Sequence, residues 1–158
     1  MELFTYEDMK KINRKKLGAM IPLELFRSVL FIGMYQGLPM NGKNTSFAIG
    51  RKIGQSLPVR KIDEVLSHFQ ELKIGIPTVL ESKDNEYLVK IDDCFCRGLP
   101  THPGNKVCDL EGAILDGAIS RFYDGRVMVN EEKCNVNWDS HCEYRIRLLY
   151  YMTKKGHS

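Results

Sequence analysis

The succession of hydrophobic periods in this sequence predicts an α+β fold: three N-terminal helices, then a ββ-α-ββ run forming a mainly antiparallel sheet covered by helices. Three observations carry that reading. Apolar residues recur at helical spacing as far as Lys73, they switch to strict alternation from Ile76 and again beyond Gly125, and one apolar helical stretch separates the two alternating runs. No repeat, low-complexity tract or Gly/Ser linker interrupts the 158 residues, so 21–158 reads as one domain behind a basic lead-in at 1–20.

The first helix follows Pro22, a residue suited to a first turn, and places Phe26, Val29, Leu30, Gly33 and Met34 in sequence until Gly37 and Pro39 stop it. Leu25, Phe31 and Ile32 make it apolar over most of its circumference, which suits a central helix or one paired across a subunit interface. Asn44 or Thr45 can cap the second helix, where Phe47, Gly50, Gly54 and Leu57 share a side and the glycines permit close backbone approach. The third spans about Val59 to Lys73, with Ile62, Val65, Leu66, Phe69 and Leu72 on one face and Gly75 as its stop.

Ile76 to Glu81 and Glu86 to Ile91 then read as strands around a Lys83-Asp84-Asn85 turn. Cys94 to Lys106 is a long loop. The fourth helix runs from Asp109 to about Tyr123, with Asp109 and Glu111 in its first turn and Arg121 in its last, matching the macrodipole. Two strands close the chain, Val127 to Glu131 and Cys142 to Leu149.

Composition narrows the function. A net charge of +3 is mild and is gathered in Lys10, Lys11, Arg14, Lys15 and Lys16, a solvated lead-in rather than a face for nucleic acid. No apolar stretch reaches the ~20 residues of a membrane span, and Met1 is followed by Glu2 and Asp8 rather than by a secretory signal. A cytoplasmic, reducing setting is expected, where five cysteines point to metal or redox chemistry before disulfides. Ser-His-Asp order, Walker loop and dinucleotide fingerprint are all absent from the sequence.

The chemistry gathers in the last third. Alternation sends Cys142, Tyr144, Ile146 and Leu148 to the buried face of the final strand, and Val127, Val129 and Glu131 share a face of the one before. A carboxylate turned to the core needs a partner or a metal. Cys134 stands close beyond Glu131, antiparallel pairing brings it towards Cys142, and Cys108 precedes the fourth helix, whose free N–H groups favour a thiolate. Three thiols and a carboxylate complete a tetrahedral zinc shell with no position for a reacting water. Their excess negative charge needs backbone N–H groups, Lys133 or partial protonation to offset it. Buried thiols also serve as small apolar residues, and His141 is a second candidate for the carboxylate's place, although alternation points it to the other face. Cys94 and Cys96, flanking Phe95 at the mouth of the long loop, could be a redox pair or a second metal site, but a C-x-C without further partners reads by default as two loop thiols; His68 reads as a solvated or core-edge histidine and His102 as a loop residue without a partner.

The stretch Cys108-Asp-Leu-Glu-Gly112, then Gly117, Val127, Glu131, Lys133-Cys134, Asp139 and Cys142-Glu143-Tyr144, resembles the C-terminal signature of the four-vinyl reductase domain family. That family is similar in fold to TRAPP vesicle-tethering subunits, to sensor domains of aromatic-responsive bacterial activators and to nitric-oxide-signalling ligand-binding domains. The resemblance implies a zinc held by Cys108, Glu131, Cys134 and Cys142, and it covers about a third of the chain. One departure stands in the hairpin loop, where Trp138 replaces the family's usual Gly before Asp139.

The resemblance further implies a hydrophobic small molecule held between helices and sheet, with Phe26, Leu30, Met34, Tyr35, Phe47, Phe69 and Tyr87 as candidate lining. It favours a stand-alone sensor or carrier over an enzyme, acting as a homodimer or through a signalling partner in trans. The alternatives are an enzyme or accessory factor of tetrapyrrole vinyl reduction, whose hydride source would lie elsewhere, and a structural protein-interaction subunit.

Overall fold

The computed structural model describes residues 3–38 and 42–151. The lead-in contains a single helical turn, α1 (Tyr6–Met9), closed by a reciprocal cap between Thr5 and Asp8. Two of its basic residues find acidic neighbours: Lys10 pairs with Glu7 at 2.7 Å and Lys11 with Asp8 at 2.6 Å.

Helix α2 (Leu23–Arg27) begins just after Pro22, whose extended backbone makes it the cap rather than the first turn. It runs on into a π-helical stretch, Ser28–Met34, in which Leu30 is buried; Val29 and Ile32 of that stretch and Leu25 of α2 stay open to solvent. Pro39, the expected stop, lies outside the described residues. Helix α3 (Gly42–Ser56) starts ahead of Asn44 and Thr45, so both fall inside its first turn rather than at its cap. Helix α4 (Ile62–Glu71) is shorter at each end than its apolar spacing suggests. Val59 is buried before the helix begins, and Lys73, at φ 57°, takes the left-handed exit expected of Gly75. Gly75 is needed for another reason: a Cβ there would strike Ile91.

Strands β1 (Ile76–Lys83) and β2 (Glu86–Asp92) form a hairpin whose two turn residues, Asp84 and Asn85, both have positive φ, the turn that matches strand twist. Helix α5 (Asp109–Ser120) follows, then β3 (Arg126–Lys133), a 3-10 turn at Asn135–Asn137 and β4 (Cys142–Leu149). The sheet is antiparallel throughout, in the order β1-β2-β4-β3. The predicted α+β architecture and element order are therefore present.

Every residue of α5 from Leu110 to Ile119 is buried, because the helix lies between α3 and the sheet. Gly50 and Gly54 of α3 and Gly117 of α5 make this possible: a Cβ on any of them would enter the facing helix backbone. Cys142, Tyr144, Ile146 and Leu148 point inward as alternation requires. On the opposite face Arg145 joins Glu86 and Glu132, each at 2.6 Å, across neighbouring strands. Glu143 breaks the pattern by being buried on that face, where its carboxylate meets His141 at 3.1 Å and Lys133 at 3.9 Å.

Candidate metal centre

All five cysteines are buried, and all five converge where the start of α5 meets the β3–β4 connection. Cys108 caps α5 by position only; its side chain makes no capping bond, which leaves the sulfur free. Cys142 enters from the first residue of β4 and Cys134 from the end of the β3 ladder. The hairpin is shaped by Asp139, which accepts from the Cys134 N–H at 3.0 Å and from Asn137 Nδ2 at 3.0 Å, while Asn135 Nδ2 donates to the Asp139 carbonyl at 3.1 Å. The Cys108 sulfur then lies 3.8 Å from both Cys134 and Cys142.

Cys94 and Cys96 reach the same place by a route that alternation does not reveal. Ile91 of β2 pairs with Cys142 of β4, so the chain leaving β2 turns directly over the cluster. Cys96 sits 3.4 Å from Cys142 and 3.9 Å from Cys134, and Cys94 sits 3.7 Å from Cys108. Both are thiols of the loop, as expected, and both are buried members of the cluster. Arg27 of α2 fastens the loop, donating from Nε to the Phe95 carbonyl at 2.7 Å and from Nη2 to that of Arg97 at 2.6 Å, while Phe26 packs against Phe95. The far end of the loop is tied to the hairpin, with the His102 N–H donating to the Val136 carbonyl at 2.7 Å.

Two four-donor sets have their ligand atoms within 4.8 Å of one another: Cys108, Glu131, Cys134 and Cys142, and Cys94, Cys96, Cys108 and Cys142. The carboxylates beside them are poorly served by protein. Glu131 Oε2 accepts from the Cys108 N–H at 3.2 Å, but Oε1 is buried without a partner, and so is Oε2 of the fully buried Glu111. Burial pushes Glu131 up to about 10 and Glu111 up to about 8. Hydrogen bonds from Cys108 and then Cys142 lower Cys134 below the usual thiol range. A dication would meet the orphaned oxygen and the thiolates together, and the buried cysteines are close enough to hold one. His141 is not part of the cluster; its ring nitrogens face Glu143 and Ser140.

No protein-family model matches the chain. It is 28% identical over 141 residues to an uncharacterised protein of Methanocaldococcus jannaschii, a match covering 85% of this chain and 80% of that protein. A crystal structure of a vinyl-4-reductase family protein from the same organism matches with a TM-score of 0.65 at 18% identity, over 90% of this chain and 87% of the other. The chain has the vinyl-4-reductase fold. The same architecture is found in subunit 3 of the trafficking protein particle complex from Naegleria fowleri, covalently bound to palmitic acid (TM-score 0.61, 16% identity, 84% and 96% covered). It is found again in the phenol-responsive sensory domain of the transcription activator PoxR, with phenol (0.61, 12%, 80% and 72%). An H-NOX protein from Shewanella oneidensis shares it as well (0.56, 15%, 92% and 88%).

Within this vinyl-4-reductase fold the candidate lining residues are spread over several environments. Leu30 and Phe69 are fully buried in the core, whereas Phe26, Met34, Tyr35 and Tyr87 are half-buried against it. Tyr35 is anchored by donating to Asp109 Oδ2 at 2.5 Å. Phe47 borders a cavity of about 40 Å³ next to the cluster, shared with Gly112, Val129, Glu131 and Tyr144. Trp138 occupies the hairpin position with φ 78°, the left-handed conformation for which glycine is suited, and its side chain is 76% exposed.

Proposed function

We propose that this chain is a zinc-stapled domain that binds a hydrophobic small molecule, serving as a sensor or carrier rather than as a catalyst. The observation that carries the metal reading is the buried convergence of Cys108, Cys134 and Cys142 with a Glu131 oxygen that no protein donor satisfies. In this reading Glu131 is the fourth donor. Zinc suits a donor set of sulfur and carboxylate, and four protein ligands leave no position for a reacting water, so the metal is structural.

The ligand reading draws on the fold. Phenol in the PoxR domain and palmitate in the trafficking subunit are both apolar-bodied guests of this architecture. The half-buried aromatic residues of the N-terminal helices and β2, with Phe47 beside the cluster, supply the apolar surface such a guest needs: Phe26, Leu30, Met34, Tyr35, Phe47, Phe69 and Tyr87 form the proposed lining. Leu25, Val29 and Ile32, each more than half exposed on one helix, support a homodimer built on that helix, with signalling passed to a partner in trans. No helix of the described residues is long and apolar enough to cross a membrane, and free thiols suit a cytoplasmic site.

Native mass spectrometry of the untreated protein tests both parts. A bound organic mass together with zinc is expected, whereas protein carrying neither would fit an interaction subunit of the trafficking kind. Cys134→Ser should release the metal and cost more than about 4 kcal/mol of stability, as loss of a structural metal does. Unchanged metal content in that variant would remove Cys134 from the ligand set.

A further inference from the structure

We propose that Cys96, from the loop between β2 and α5, is a metal ligand, and that the resting ion is held by four sulfurs: Cys96, Cys108, Cys134 and Cys142. Glu131 stands behind Cys108 as the donor that takes the fourth corner when Cys96 is withdrawn. This inference rests on the metal reading above and changes only its fourth donor.

The distances favour the all-sulfur set. Zinc–sulfur bonds of about 2.3 Å require tetrahedral edges of about 3.8 Å between sulfurs. Cys108 to Cys134 and Cys108 to Cys142 are 3.8 Å each, Cys96 to Cys134 is 3.9 Å and Cys96 to Cys142 is 3.4 Å. The two remaining edges, Cys96 to Cys108 and Cys134 to Cys142, both lie within 4.8 Å. Glu131 Oε2 already accepts the N–H of Cys108, the kind of outer contact that fixes a ligand's orientation, and its unpartnered Oε1 is the oxygen held ready for the fourth corner. Cys94, whose sulfur is 3.7 Å from that of Cys108, also donates towards Oε1 of the buried Glu111 at 3.7 Å, and this carboxylate contact sets it apart from Cys96.

The proposed Cys96 set and the Glu131 set share Cys108, Cys134 and Cys142 and differ in one corner. Thiolate and carboxylate each bring one negative charge, so exchange leaves the net charge of the centre unchanged. Position then decides between them, and the position of Cys96 is governed by α2. The Arg27 guanidinium holds the carbonyls on both sides of Cys96, and the Phe26 ring packs on Phe95 at 4.8 Å between centroids. The metal shell is thereby joined mechanically to the helix that carries the proposed ligand-lining residues Phe26 and Leu30.

The test is zinc-edge X-ray absorption on the reduced full chain loaded with zinc. The unsubstituted protein should show four sulfurs at about 2.3 Å and no oxygen. Cys96→Ser should keep one zinc per chain with three sulfurs and one oxygen at about 2.0–2.2 Å. Glu131→Gln should keep the four-sulfur shell, and it decides the matter if Cys96→Ser does not fold. Three sulfurs and one oxygen in the unsubstituted protein, unchanged by Cys96→Ser, would overturn the inference while leaving the metal reading intact. A chain that takes up no zinc at all would remove both, and the two failures are told apart by metal content alone.

Discussion

Trp138 holds a backbone conformation that its side chain does not favour. A left-handed L-residue costs about 1–2 kcal/mol, and with its indole 76% exposed the side chain has little buried contact to offset that cost. Trp138→Gly is expected to raise stability by about 0.5–1 kcal/mol, reduced by the larger freedom of glycine in the unfolded chain, and chemical denaturation would measure it. Glu111 gives a second expectation. Its folded-state value near 8 exceeds the usual 4.5, so the folded chain binds an extra proton between those values and stability falls as pH rises through that window. Glu111→Gln should flatten this loss, so that the difference in melting temperature from the unsubstituted, metal-free protein moves in the variant's favour from pH 5 to pH 8. At this scale the inward direction of Cys142 and Tyr144 was legible from alternation. The burial of Glu111 was not, because a carboxylate in a first turn fits a solvated dipole partner equally well.

Elements meet here through absent side chains. Gly54 and Gly117 lie where a Cβ would enter the facing helix, and Gly54→Val should destabilise by about 3 kcal/mol through overpacking, read from thermal unfolding. Close approach at Gly50 and Gly54 could be anticipated from their shared helical side. The location of Cys94 and Cys96 could not, because it depends on β2 pairing with β4 across an intervening helix and strand, a long-range register that no local period encodes. The π-helical widening at Ser28–Met34 was likewise hidden, since the apolar residues around that stretch suit either winding. Arg27→Ala removes two carbonyl contacts that hold the Cys94–Arg97 turn, and it should lower zinc affinity without changing the secondary structure.

For the whole molecule, α5 is wrapped by α3 and the sheet, and the thiol cluster fastens the end of that sandwich where the loop, the helix start and the last hairpin meet. Order and type of the main elements followed from periodicity, as did the inward facing of Cys142; Cys134 was placed near it by hairpin pairing, and Cys108 joined the set through its place ahead of a helix and the family resemblance. A metal at this junction ties together segments that are far apart in sequence, so its binding free energy is folding free energy. The direct measurement is zinc content and melting temperature on one untreated sample, before and after a strong chelator. One equivalent of zinc, with a large fall in melting temperature on its removal and recovery on its return, is the expected result; a zinc-free protein, or one whose melting temperature ignores the chelator, would contradict the account.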